Sequence, residues 1–419
     1  MMSLPFSLSV VNRALRFSGQ IVAWITLFGV VSLEAGDWPQ FRGPNQDGIS
    51  TETNFRTQGK APLLWQKSIG LGYSAPVVAD GKVVISGHDG ESTDTLWCFD
   101  AASGDEVWKH SYPQPLGDLY FQGGTTGCAA ISGDRVYHLA REGEFFCLDL
   151  ATGRIIWSVH LQKDHRYSKP TWGFSGAPLI DGDVVYLNAG EAGLALSVAD
   201  GSVVWKSDNE EAGYSTPYLF ERGGKRYLIV SNKRAYVCVD PATGSEVWSH
   251  RWMTRYGVNS ADPIVSGDEI FISSGYGKGG VLLGWDGAGK PDRIWQNREM
   301  RTQMNAAILH QGHLYGIDGN ESVDGTALKC LDWATGETIW SEESVGHGTV
   351  MMAGNHLIVL TEKGELQIAV ANPRSYEPTL RQKLIGARIW TVPVLANGIL
   401  YARNEHGQFA AVDLGEDAR

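Results

Sequence analysis

From Thr216 to Trp248 the chain reads "TPYLFERGGKRYLIVSNKRAYVCVDPATGSEVW", short apolar runs separated by polar turns. Within the runs, apolar and polar positions alternate, the period of a strand with one buried face. The segment therefore predicts four antiparallel strands joined in a meander, with turns at Gly223–Gly224, around Lys233 and at Asp240–Gly244. No helical period competes with this reading.

The last turn recurs. "DAASGDEVW" opens at Asp100, "DLATGRIIW" at Asp149 and "DWATGETIW" at Asp332, each with Gly four residues after the Asp and Trp four residues after the Gly. The Asp carboxylate caps the turn, and Gly supplies the positive φ that a short connection demands. Four residues along a strand return to the same face, so each Trp projects from one side of its unit's outermost strand and can cover the next unit. With Trp as phase marker the positions are Trp65, Trp108, Trp157, Trp205, Trp248, Trp295 and Trp340, in steps from 43 (Trp65 to Trp108) to 49 residues (Trp108 to Trp157). A strand-filled period in the mid-forties is that of a propeller blade.

After Trp340 a further blade ends in a degenerate strand near "LRQKL", where Leu384 is expected in the Trp position. Thr391 to Leu414 then supplies three strands, and "PLLWQKSI" at Pro62 to Ile69 the missing fourth. The fold class predicted is all-β, an eight-bladed β-propeller of four-stranded antiparallel blades, closed by N- and C-terminal strands so that free edges disappear. Blades five and seven depart most from the pattern, which leaves a count of seven open. The expected division is a signal peptide (1–36), an N-terminal arm (37–59), the propeller (60–414) and a tail (415–419).

Composition fits this picture and narrows function. Glycine numbers 51 and tryptophan 15, a profile of many short strands and tight turns. The net charge of -12, with no concentrated run of Lys and Arg, argues against nucleic acid. Arg13 and Arg16 precede the uncharged run Ile21 to Leu33, followed by "EAG", the order of an export signal. That run is too short for a membrane span, so a periplasmic or extracellular mature protein without one is expected, soluble after cleavage; an uncleaved N-terminal anchor is the alternative, since cleavage after Ala35 would put bulky Leu33 where a small residue is preferred.

Cys98, Cys147, Cys238 and Cys330 each stand two residues before the repeat's Asp. Equivalent positions lie a whole repeat apart, so the four should not pair with each other and read as buried small hydrophobes, with Cys128 out of phase. "DGNESVDG" (Asp318 to Gly325) lacks the Gly and terminal Glu of an EF-hand loop and reads as a solvated acidic turn.

Motif, period and count together resemble the pyrroloquinoline quinone (PQQ) repeat family, eight-bladed propellers with tryptophan-docking motifs, over about residues 60–414. "DWPQFRGPNQDGIS" (Asp37 to Ser50) resembles the N-terminal signature of exported PQQ-like propellers of planctomycete-type bacteria, and "AGYSTP" and "ISSGYG" are similar to that group. The family implies two functions. One is a quinoprotein dehydrogenase, holding PQQ over calcium on the propeller axis and oxidising alcohols or sugars with a carboxylate base. The other is a non-catalytic scaffold similar to the propeller lipoprotein of the outer-membrane barrel-assembly machinery.

Loops leading into each innermost strand converge on the axis and should carry any site. They contribute Tyr73, Gln122, Lys169, Trp172, Tyr214, Asn259, Asp262, Gln303, Asn305, His347, Arg388 and Trp390. For the dehydrogenase, Asp262 would be the catalytic base or a calcium ligand, Asn259 a second calcium ligand, and Lys169, Asn305 and Arg388 contacts to PQQ, with Trp172 or Trp390 stacking on the quinone. The usual PQQ-stacking disulfide of adjacent cysteines has no counterpart here, and connections are mostly short. The leading expectation is therefore an exported binding or protein-interaction scaffold of the cell envelope, meeting an envelope protein or a small molecule at its channel. The PQQ- and calcium-dependent dehydrogenase is the alternative.

Overall fold

The protein is described here from a computed structural model, which covers residues 36–320 and 325–415. Residues 1–35 of the expected signal peptide lie outside the described residues. Among those described, no helix is long and apolar enough to cross a membrane.

Eight antiparallel blades form the propeller. Their innermost strands are, from blade one to blade eight, Val77–Ala79, Ala129–Ser132, Leu179–Asp181, Tyr218–Arg222, Ile264–Ser266, Ile308–His310, Thr349–Ala353 and Val394–Ala396. Blades one to seven are sequential meanders. Blade eight joins both ends of the chain, in the order Val394–Ala396, Ile399–Arg403, Gln408–Asp413, Leu63–Ser68.

The outermost strands share one register. Trp108 faces Cys98, Trp157 faces Cys147, Trp248 faces Cys238 and Trp340 faces Cys330, so the four in-phase cysteines are small residues packed beside an indole. All five cysteines are free and buried. Just before the marker each blade slips by one residue, a β-bulge that leaves Val107, Ile156, Val204, Val247, Ile294, Ile339 and Leu64 unpaired. Each of these seven side chains is exposed, so the aliphatic girdle around the rim follows from the repeat's backbone. In blade seven the residue facing the equivalent position, Ile368, is Leu380. The Trp position there belongs to Leu380, which is buried, and not to Leu384. Counting from the preceding marker misses this because nothing in "LRQKL" betrays the bulge.

Docking between blades has two parts. The indole N–H of Trp108 donates to the Leu150 carbonyl at 2.8 Å, Trp157 to Val198 at 2.9 Å and Trp205 to Pro241 at 2.7 Å, each in the Asp–Gly turn of the next blade. The turn's glycine lies flat on the ring. A Cβ at Gly153 would come within 2.6 Å of Trp108, and one at Gly201 within 2.7 Å of Trp157. Gly is therefore required twice over, for its positive φ and for this approach. At the junction of blades four and five the turn is longer, and Trp285 packs edge-on against Trp248, whose Nε1 has no partner.

The arm before the propeller lies against the innermost strands. Trp38 exchanges two backbone hydrogen bonds with Val78 of blade one, at 2.8 Å each, and the Pro39 carbonyl accepts from Ile131 of blade two. Gln46 donates to the Pro217 carbonyl at the start of blade four. Ile49–Ser50 adds a parallel strand to Thr349–Ala353 of blade seven. Innermost strands would otherwise present unpaired edges to the axis, and the arm satisfies part of them.

Arg42 fixes its centre. Nε donates to Gln46 O at 3.0 Å, Nη1 to Ala306 O at 3.1 Å, and Nη2 to Asp47 O and Ala307 O at 3.0 Å each, so a buried guanidinium ties the arm to blade six.

One expected surface turn differs. Residues 321–324 lie outside the described residues, but Asp318 at its start is buried rather than solvated. Its Oδ2 meets Arg301 at 2.6 Å and Lys329 at 2.7 Å.

Candidate functional site

The loops that lead into the innermost strands enclose a cavity of about 300 Å³ on the axis. Phe41 of the arm lines it, together with the small side chains Ala75, Cys128 and Ala177. Aromatic rings from separate blades form the walls. Tyr73 stacks on Trp390 at 5.6 Å between centroids, Phe121 tilts against Tyr73 at 5.8 Å, and Trp172 meets Tyr214 edge-on at 6.0 Å. His347 closes the set against Trp390 at 5.4 Å. Such walls favour a flat organic group, since each ring offers a face or edge at little entropic cost.

Asp262 supplies the negative charge among the lining residues. It is 5% exposed, and its Oδ1 accepts the Thr216 N–H at 2.7 Å. Burial pushes its carboxyl up to about 6, against the lowering influence of the Arg42 guanidinium and of that N–H. Near pH 6 the group therefore both gives and takes protons.

Several polar atoms on the lining have no partner. Thr126 Oγ1, His347 Nδ1 and Trp390 Nε1, from the loops before blades two, seven and eight, are buried without a hydrogen bond. Gln303 Oε1 is likewise without a hydrogen bond, and its side chain lies beside the Tyr276 hydroxyl, whose pKa it lowers against the rise caused by burial. Burial holds His347 down to about 4, so its ring is neutral at pH 7.

Of the residues singled out from sequence, Tyr73, Trp172, Tyr214, Asp262, Gln303, Asn305, His347 and Trp390 line this cavity. Asn305 Nδ2 donates to the Trp390 carbonyl at 3.2 Å, which orients one predicted residue by another. Arg388 lies over Trp390, 4.6 Å from the ring centroid, with Nε 3.8 Å from Glu405 Oε2. Gln122 reaches the Glu405 carbonyl.

Arg388 and Gln122 thus stand beside the lining rather than in it, and two more of the residues singled out, Lys169 and Asn259, stand further off. Lys169 is engaged by Glu142 at 2.7 Å, outside the lining. Asn259 is fully buried behind the wall, its Nδ2 donating to Asn232 O and Trp252 O at 2.8 Å each and its Oδ1 accepting from Ser274 at 3.2 Å. It braces the loop that carries Tyr214, whose N–H donates to the Asn259 carbonyl. Phe41, Phe121, Tyr276 and Cys128 join the lining without having been singled out. Tyr276 sits in the quoted segment "ISSGYG", but its hairpin connects the second and third strands, so the inlet-loop rule passed over it.

The donor set can be tested against calcium and PQQ. Calcium takes six to eight oxygens, and with Asn259 committed to the protein only Asp262 of the two expected ligands faces the hollow. Groups of three or more His, Cys, Asp or Glu side chains placed to hold a metal do not occur among the described residues. PQQ bears three carboxylates, which would enter beside the Asp262 carboxylate, while Lys169 and Arg388 already face Glu142 and Glu405. The residues present do not fit the pair.

Comparison with known proteins places the chain. A family model described as outer membrane protein assembly factor BamB matches residues 92–342 and 323–419. Among relatives, quinoprotein ethanol dehydrogenase of Pseudomonas putida is 25% identical over 61% of this chain and 45% of its own length, so the chain spans under half of that enzyme. Outer membrane protein assembly factor BamB of Escherichia coli K12 is 22% identical over 75% of this chain and 79% of its own. Among solved structures, BamB from Moraxella catarrhalis aligns with a TM-score of 0.60 at 16% identity, covering 86% of this chain and all of that one. A europium-containing methanol dehydrogenase aligns at 0.66 with 14% identity, over 90% of this chain and 91% of that one. These structural likenesses establish the eight-bladed fold. The chain belongs to the PQQ-like repeat family whose model carries the description outer membrane protein assembly factor BamB.

Proposed function

We propose that this protein is an exported, non-catalytic binding module of the cell envelope that holds a flat organic ligand in its axial cavity. The observation that carries the reading is the axial hollow itself, walled by aromatic rings from separate blades around the buried Asp262 carboxylate. Asp262 defines the ligand's charge preference. With its pKa at about 6 it is mostly ionised at pH 7, and the surrounding ring faces also favour cations. A planar aromatic bearing a hydrogen-bond-donating cation suits the site better than an aromatic acid.

The direct test is ligand-observed NMR with benzamidine and benzoate on the purified chain. Benzamidine should bind in preference to benzoate, and Asp262→Asn should remove the preference. Equal binding of both, or of neither, contradicts the reading.

The PQQ-dependent dehydrogenase remains the second reading, favoured by Trp172 and Trp390 in the lining and by the dehydrogenase relatives. Its calcium would need oxygens beyond Asp262.

A further inference from the structure

A second hollow lies on blade five. Gly277, Lys278, Arg293, Gln296, Asn297 and Arg298 line it. Strand pairing brings them together, because Gly280 faces Asn297 and Val281 faces Gln296, setting the 275–278 hairpin beside the end of the outermost strand. Arg251, at the end of blade four's outermost strand, is close enough to act electrostatically on Lys278.

The lysine is held in place. Its ammonium lies 4.2 Å from the centroid of the buried Trp252 ring. Burial, then Arg251, then Arg298 push the Lys278 pKa below its usual value, and burial, Lys278 and Arg293 do the same to His250. These are signs of like charges crowded together. Among the described residues no carboxylate comes within 4.0 Å of the charged nitrogens of Arg251, Lys278, Arg293 or Arg298. Arg293 Nη1 donates to Gln296 Oε1 at 3.3 Å, leaving the Gln296 amide nitrogen as one more donor.

In a chain of net charge -12, four cations near one another, with no carboxylate within 4.0 Å of their charged nitrogens among the described residues, repel one another. A bound anion would relieve that repulsion. Guanidinium forks and an ammonium around a concavity match a tetrahedral oxyanion with several acceptor oxygens.

We propose that the hollow formed by Lys278, Arg293 and Arg298, with Arg251 beside it, binds a phosphate group. A soluble phosphorylated small molecule and a phospholipid headgroup share this chemistry. Two arms of one experiment separate them: calorimetric titration of the full chain with inorganic pyrophosphate, and co-sedimentation with phosphatidylglycerol vesicles against phosphatidylcholine vesicles.

At least one arm should show saturable binding, weakened about tenfold in Arg298→Ala, the loss expected for one charge-assisted hydrogen bond. Arg298 is exposed, so this variant should keep its melting temperature. Lys290→Glu, at an exposed turn on the opposite end of the same blade, changes charge by more and should leave binding intact. Binding to pyrophosphate identifies a soluble ligand, and binding to anionic vesicles alone a headgroup. The proposal is overturned by binding in neither arm, by equal weakening in Lys290→Glu, or by poly-glutamate outcompeting pyrophosphate at the same residues.

Discussion

Trp65 of blade eight donates its indole N–H to the Ala101 carbonyl of blade one at 3.0 Å, and Gly104 of that turn lies against its ring. The bond is the one that Trp108 makes to Leu150 and Trp157 to Val198, so the ring closes with the clasp used between sequential blades. Trp65→Phe should cost about 1 kcal/mol, the worth of one hydrogen bond, and Trp65→Ala about 3 to 5 kcal/mol. Trp248→Phe should cost less than Trp65→Phe, because Trp248 Nε1 has no bond to lose. Urea unfolding of the three variants checks the order. Equal costs for the two Phe variants would remove the hydrogen bond from the account of closure.

Arg42 predicts a coupling between arm and cavity. Its guanidinium serves four backbone carbonyls, two of them in blade six. Arg42→Met leaves these unpaired and should destabilise by about 3 kcal/mol or more. It also withdraws the positive charge that opposes burial at Asp262. The Asp262 pKa should therefore move above its wild-type value, as followed by infrared or NMR titration of the carboxyl. A stable variant with Asp262 unmoved would contradict both roles.

Asp94 gives a prediction about pH. It is buried in blade one, its Oδ1 has no partner, and burial pushes its carboxyl up to about 7, with Arg141 and Tyr112 pulling the other way. An acid whose folded pKa exceeds its unfolded value of about 3.9 keeps its proton longer in the folded state, so its contribution to stability falls as pH rises from about 4 to about 7. Asp94→Asn removes that loss. The variant should gain on the wild type across this window and plateau above pH 7, on the order of 2 to 4 kcal/mol. Denaturation at pH 4.5 and pH 8 measures it, and a difference independent of pH would refute the assignment.

The thiols should be silent. Burial raises Cys98 and Cys128 to about 12 each, and all five cysteines are free. Reductant should leave the melting temperature unchanged, and a bulky thiol reagent should react only on unfolding. Rapid labelling of the native chain would show an opening at Cys128, the one cysteine on the cavity lining.

Propeller and phase were legible because the repeat writes its own register. A Trp must recur wherever a blade needs covering, and its Asp–Gly turn marks the strand before it. Leu380 was not legible, since a bulge moves pairing without a sequence signal when Trp is absent. The packing of the arm was not legible for a related reason: Arg42 and Gln46 bind backbone atoms at the entries to strands some 170 to 265 positions away, and no period connects them. In the site, the inlet loops were found from phase, and most of their conspicuous side chains do line the cavity. Asn259, Lys169, Gln122 and Arg388 lie outside its lining because residue type in a loop says nothing about which way the side chain turns. Tyr276 was missed because its hairpin reaches the axis from the second and third strands.

The reading of the cavity as a binding site without quinone chemistry meets its most direct test in a titration of the purified chain with micromolar PQQ and millimolar calcium, followed by quinone absorbance. The account predicts no saturable spectral change. Stoichiometric quinone binding that Asp262→Ala abolishes would contradict it and establish the dehydrogenase reading in its place.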